Sequence, residues 1–262
     1  MSARLWWLGF GGLIAGMLTA VPAAAQRDDP LPRFEDPLCP GIVGLEVEAA
    51  EAMVGRIRSR AEEFGLRLAG EESCDPNMIV AFIRDGREYL QRLSGERTYM
   101  FESLGVQERK ELLSHEGPVH VLPQIRTRSR DGMVVPRREN LIQPPQTEMW
   151  MAHSRIYTPT RQDITSVLVL IDPAAIGDMT VSQLADYAAM RAFAPDVPQL
   201  RDAAGGSILT LFEAGSQERP AGLTETDRST LATLYKGPPN LPASTRLAEL
   251  GETTSGRQAD AE

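Results

Sequence analysis

Residues 164–172, Ile-Thr-Ser-Val-Leu-Val-Leu-Ile-Asp, form a β-branched and apolar run that stops at Pro173. A run of this length is a strand buried on both faces, and proline cannot extend its ladder. Such a strand fixes a sheet with other elements packed over it. Downstream, Thr180-Val-Ser-Gln183 has capping-box spacing, which predicts a helix start. Val181, Leu184, Ala185, Ala188 and Ala192 then recur as one apolar stripe of a helix reaching Phe193, while Asp186, Tyr187 and Met190 fall on its other faces. A polar connection containing Gly205-Gly206 leads to the short apolar run 207–212. Thr224-Glu-Thr-Asp227 gives a second capping box, and the helix that carries Leu231, Leu234 and Tyr235 must end at Gly237-Pro238-Pro239.

This order of strand, capped helix, apolar turn and capped helix, together with Leu223-Thr-Glu-Thr-Asp-Arg-Ser-Thr-Leu-Ala-Thr-Leu-Tyr235, resembles the C-terminal half of the zincin metalloproteases, in particular the matrixin-like metzincins. The resemblance covers residues 164–236. It implies a helix that in the family carries H-E-x-x-H-x-x-G-x-x-H, followed by a Met-containing turn. In the register that fits best, Asp186 and Met190 stand at the two histidine positions and Tyr187 at the glutamate. Phe193 stands at the glycine, Asp196 at the third ligand, and Ile208 or Leu209 at the turn methionine. A thioether is a poor zinc ligand beside imidazole, and a phenol cannot replace a carboxylate as base at neutral pH. The resemblance therefore implies a protease frame without its zinc, with no cofactor, and with Asp186, Tyr187, Met190 and Asp196 marking a retained cleft. Asp186 is its binding group.

Residues 1–25 read as a secretory signal peptide: Arg4, an uncharged apolar stretch, and Ala23-Ala24-Ala25 as the small-residue cleavage box. No later stretch is long and apolar enough to span a bilayer, so no membrane insertion is expected after signal cleavage. The formal net charge of −9 becomes −10 without Arg4. That balance argues against nucleic acid and anionic lipid as partners and leaves an unidentified protein or small molecule. Residues 26–34 read as an extended, proline-containing lead-in to one domain over residues 35–247. Cys39 and Cys74 are the only cysteines. In an exported chain they read as a disulfide, which closes its loop at a gain of about 3–4 kcal/mol.

Ala50, Met53, Val54, Ile57, Ala61 and Phe64 mark one face of a helix from Val47, with Arg56, Arg58, Arg60, Glu62 and Glu63 largely on the others and Gly65 as its stop. Residues 66–69 and 78–83 read as strands, 86–93 and 107–114 as helices, and 119–127 as a strand. Arg126, Arg128 and Arg130 alternate along a ribbon toward Asp131-Gly132, either as a charged, protected edge or as a site for an acidic partner. Residues 136–148 read as a surface loop or lid. Residues 153–157 read as a strand pairing with 164–171, and the segment after Gly237 as a disordered tail over 248–262.

Three histidines are available for a metal. His115-Glu-Gly-Pro-Val-His120 has the wrong spacing for two imidazoles on one helix face, and Pro118 interrupts it; His153 lies on another segment. Asp172, Asp178 and Asp186 flank the strand-to-helix connection, where a carboxylate pair would serve a glycosidase, although Asp172 and Asp178 also suit a turn and a helix N-terminus. No nucleophile elbow, P-loop or EF-hand loop is present. The expected fold is α+β, a single domain with a mixed sheet, packed helices and one disulfide, zincin-like in its C-terminal part. The expected function is an exported, non-enzymatic binding or envelope-structural domain. Its rivals are an exported metal-dependent hydrolase built from His115, His120, His153, Glu116, Asp186 and Asp196, and a subunit of an envelope complex docking through the arginine ribbon.

Overall fold

The computed structural model describes residues 28–70, 74–135, 154, 156–195, 206–213 and 219–259, the last eight by backbone alone. Among these residues the chain forms a four-stranded mixed sheet with six α-helices. In chain order they are β1 (Pro40–Val43), α1 (Val47–Glu63), β2 (Met78–Phe82), α2 (Gly86–Glu96), α3 (Val106–Ser114), β3 (Val119–Ser129), β4 (Thr160–Ile171), α4 (Val181–Phe193), α5 (Glu225–Tyr235) and α6 (Ala243–Ala259). The sheet order is β1-β2-β4-β3. The first three of these strands run parallel, and β3 lies antiparallel to β4 at one edge.

β4 is buried on both faces, as its composition requires. Val167, Val169 and Ile171 join the larger core with Met53, Ile57 and Ala61 of α1 and Leu184, Ala188 and Met190 of α4. Leu170, one residue out of phase, faces a smaller core with Leu90 and Leu93 of α2, Phe101 and Leu122. β4 lies inside the sheet between β2 and β3, and α1 and α4 pack against each other over its larger core. Cys39 and Cys74 are bonded, with 6.1 Å between their Cα atoms, pinning the entrance of β1 to the approach to β2.

Several expectations change. The lead-in belongs to the domain: Leu31 and Phe34 are in the core, and Arg33 bridges Asp163 through paired backbone bonds to Gln162 and Ile164. Two apolar side chains flanking Arg33 supply the burial that a solvated lead-in would lack. Residues 66–69 contribute a single bridge, Leu68 to Leu38, in place of a strand. Residues 156–157 do not pair with β4, whose two edges are taken by β2 and β3; Ser154 Oγ instead accepts from the amides of Ile156 and Tyr157 in a bend. Of the disordered tail expected over residues 248–262, residues 260–262 lie outside the described residues and the rest is helical as far as Ala259, in a helix that starts at Ala243, with Leu250 in the core and Ala243 and Leu247 packed against it. These three fall at i, i+4 and i+7, a short apolar stripe inside a polar sequence. Arg246 fastens this helix by donating to the carbonyls of Thr233 and Pro238.

At the far end of β3, the Asp131-Gly132 turn doubles the chain back, with Gly132 at φ +90°, a conformation that favours glycine. Arg128 there donates to Asp36 at 3.0 and 2.8 Å, while Arg126 and Arg130 are exposed. The 136–148 loop lies outside the described residues. No helix among the described residues is long and apolar enough to cross a membrane.

Candidate functional site

α4 begins as its sequence dictates. Thr180 Oγ1 accepts from the Gln183 amide at 3.2 Å, and Gln183 Oε1 accepts from the Thr180 amide at 2.9 Å. Gln183 Nε2 also donates to the Pro220 carbonyl at 2.7 Å, tying the helix to the segment that precedes α5. From Leu184 onward α4 is buried nearly all round. It is a core helix with one charge inside it, Asp186.

That charge is fully enclosed. Arg56 and Arg60 stand one turn apart on α1 and present parallel forks to the same carboxylate. Arg56 donates through Nε to Oδ1 and through NH2 to Oδ2, both at 2.9 Å; Arg60 donates through Nε to Oδ1 at 2.8 Å and through NH2 to Oδ2 at 3.2 Å. The Leu223 amide adds a bond to Oδ2 at 3.1 Å. Gly222 allows that approach, because a Cβ there would sit 2.6 Å from Oδ2. Burial pushes the Asp186 pKa up, but the Arg56 and Arg60 hydrogen bonds and the Leu223 amide together outweigh it and hold the carboxyl below the usual range. Around this pair, Glu63 contacts both Arg60 and Arg228, so three guanidinium groups share two carboxylates.

The other residues placed on the cleft by the resemblance point elsewhere. Tyr187 is buried, edge-on to Phe212 with ring centroids 4.9 Å apart, and burial raises its phenol further above neutrality. Met190 is wholly within the core. Phe193 packs between Phe34 and Tyr235, whose hydroxyl donates to the Phe193 carbonyl at 3.0 Å. Asp196 lies outside the described residues. Asp186, Tyr187 and Met190 therefore do not line an open cleft: all three are buried, Asp186 in its hydrogen bonds to Arg56, Arg60 and Leu223, and Tyr187 and Met190 in the core.

In the turn after α4, Ile208 is buried and begins a 3₁₀ segment, Ile208–Phe212. Ser207 Oγ caps it and donates to Asp227 Oδ1 at 2.6 Å, while the Ile208 amide donates to Asp227 Oδ2 at 2.8 Å. Asp227 is also the third residue of the α5 capping box, accepting from the Thr224 amide at 2.9 Å. One buried carboxylate thus locks the turn to α5.

A second buried carboxylate, Asp163 on β4, has poorer company. Arg161 NH2 donates to Oδ2 at 3.0 Å, and Arg128 NH1 lies 3.2 Å from the same oxygen. Arg161 Nε is 2.9 Å from Oδ1, but neither atom makes a hydrogen bond. Burial raises the Asp163 pKa and the two arginines do not fully offset it; nearby Glu35 adds to the rise.

Of the three histidines the structure describes two, and these do not converge on a metal ion. His115 follows the end of α3 and His120 opens β3, so a turn brings their rings to 5.2 Å between centroids. Their nitrogens do not converge: His120 Nε2 faces the His115 carbonyl oxygen at 3.2 Å, and its Nδ1 lies against Gly86. Glu116 pairs with Arg87 at 2.9 Å on the surface. His153 lies outside the described residues. Among the described residues no group of three or more His, Cys, Asp or Glu is placed to hold a metal ion. The three aspartates likewise stay apart: Asp172 accepts from the Ala174 amide at 2.9 Å, Asp178 contacts Arg219, and Asp186 is buried between α1 and α4.

The residues that reading along the chain missed are Arg56 and Arg60. Periodicity put them on the solvated face of α1, and their i, i+4 spacing was the only mark of a shared target. No protein-family model, no curated protein and no solved structure matches this chain.

Proposed function

We propose that this chain is an exported, zincin-like domain that acts by binding or as an envelope-structural element, without metal-dependent hydrolysis. The observation that carries this reading is the saturation of Asp186. Five N–H groups, four from guanidinium groups, occupy the oxygens of Asp186, which the resemblance aligns with a zinc-binding histidine; Asp196, aligned with the third ligand, lies outside the described residues. A carboxylate so committed has little basicity left for activating water, and two adjacent cations oppose a third. Tyr187, aligned with the general base, is an un-ionised buried phenol. The order of β4, capped α4, 3₁₀ turn and capped α5 supports the frame. Export rests on the leader-like residues 1–25, and the partner, a protein or a small molecule, is read only by exclusion of nucleic acid from the acidic charge.

The test is metal content by mass spectrometry on untagged protein, with a peptide-cleavage assay alongside. The expected result is substoichiometric zinc and no cleavage. Stoichiometric zinc with chelator-sensitive cleavage would favour the hydrolase and sink this proposal. Grafting histidines with Asp186→His and Met190→His is expected to leave zinc unbound while Arg56 and Arg60 remain.

A further inference from the structure

The turn joining α3 to β3 is seated on the first turn of α2 by one buried ring. His120 is 5 % exposed and is the cross-strand partner of Leu170 on β4. A carbonyl oxygen can only accept, so His120 Nε2, 3.2 Å from the His115 oxygen, carries the hydrogen, and the neutral ring leaves Nδ1 as a bare lone pair. Nδ1 is buried and has no hydrogen-bond partner. It abuts Gly86, the first residue of α2, where a Cβ would come to 2.9 Å. The His115 ring closes the turn edge-on and lies over Gly117, which has no room for a Cβ.

The charges that act on the ring, those of His115 and Arg87, oppose a proton there. The first turn of a helix presents unpaired N–H groups and the positive end of its dipole, and no side chain caps α2. Arg87 on α2 and the His115 imidazole of the turn both disfavour charge on the ring, its cross-strand neighbour on β4 is the apolar Leu170, and the acids at the start of α2 are Asp85 and Glu88. The carboxylate of the turn, Glu116, is largely exposed and paired with Arg87.

We propose that His120 is a proton-operated latch: in its neutral form it seats the α3–β3 turn on α2, and on taking up a proton it leaves that seat and the turn lifts. Lifting separates Glu116 from Arg87 and uncovers the first amides of α2. An imidazole free in water takes its proton near pH ~6.5. Burial, and after it the charges of His115 and Arg87, hold the seated ring below that, against the raising effect of the His115 carbonyl. The open state therefore binds the proton first. Opening becomes easier as pH falls below about 6.5, by up to about tenfold per pH unit.

Amide hydrogen exchange on the full chain at pH 7.5 and 5.5, corrected for intrinsic rates, tests this. Residues 86–90 and 115–119 are expected to open about tenfold more often at the lower pH, with the α1 amides unchanged. His115→Gln should retain the response, and His120→Gln, which keeps a neutral donor, should lose it. If His120→Gln fails to fold, the ring of the wild-type protein decides the matter by NMR. Its protonation midpoint must coincide with the midpoint of opening. Equal exchange at both pH values, an unchanged response in folded His120→Gln, loss of the response in His115→Gln, or a protonated ring that keeps its contacts to Gly86 would each overturn the latch.

Discussion

Asp186 and Asp163 are both fully buried, and each lies beside two arginines, yet the first is held below the ordinary carboxylate range and the second is raised above it. The difference lies in alignment. Asp186 receives five N–H donors from α1 and from Leu223, spread over both oxygens. Asp163 has one guanidinium hydrogen bond on Oδ2 and an Oδ1 without any, and Arg128 is divided between it and Asp36. Burial costs both carboxylates; only Asp186 has enough donors to reverse the sign. Proximity of opposite charge is a poor guide to what a buried pair contributes, and donor geometry is a better one.

The largest effect that tests this comparison is expected at Asp186. Asp186→Asn removes the charge that compensates buried Arg60 and cuts the link between α1, α4 and the Leu223 amide. Breaking a buried pair by deleting one partner costs about 3–5 kcal/mol. Urea unfolding at pH 7 should show a loss in that range. A loss below about 1 kcal/mol would mean that the arginines are solvated and that the cluster is a surface contact. Next in size is Gly222→Ala, whose Cβ would come to 2.6 Å from Oδ2 and push the Leu223 amide off the carboxylate. Overpacking of this kind costs about 1–3 kcal/mol. The same change in Asp186→Asn should cost less than in wild type, because the two residues share one contact; strict additivity in a double-mutant cycle would separate them.

How much of this could be read along the chain follows from sequence distance. The two capping boxes at Thr180 and Thr224 sit within four residues, and both form as spaced. The α1 stripe and the two-faced burial of β4 are periodicities within one element, and both hold. The Asp186 cluster joins residues 126 and 130 positions apart, which no local pattern encodes. On a helical wheel Arg56 and Arg60 are indistinguishable from solvated charge until α4 is laid against them. Leu31 and Phe34 were hidden by the prolines and charges around them, and the Ala243, Leu247, Leu250 stripe by a polar sequence. The strand expected over residues 66–69 failed for the opposite reason: its local alternation is sound, but it finds only Leu38 to pair with.

The smallest effect is the most discriminating, because it concerns sign. Asp163→Asn should stay within about 1 kcal/mol of wild type at pH 7, since Arg128 keeps Asp36 and Arg161 keeps Glu35 at 3.7 Å. The pH dependence of the two variants should then diverge. For Asp186, with its native pKa depressed, the carboxylate contributes stability above the unfolded value of about 3.9 and loses it as pH falls through the native pKa. The deficit of Asp186→Asn should accordingly shrink in acid. For Asp163, with its native pKa raised, the contribution is present below about 3.9 and is lost as pH rises through the native value. Asp163→Asn should therefore compare best with wild type at neutral pH and worst in acid. Unfolding free energies of the three proteins between pH 2.5 and 7 would show opposite slopes. Parallel slopes would mean that Asp163 finds its missing donor in water, so that the two sites differ in solvation and not in how many guanidinium hydrogens reach each oxygen.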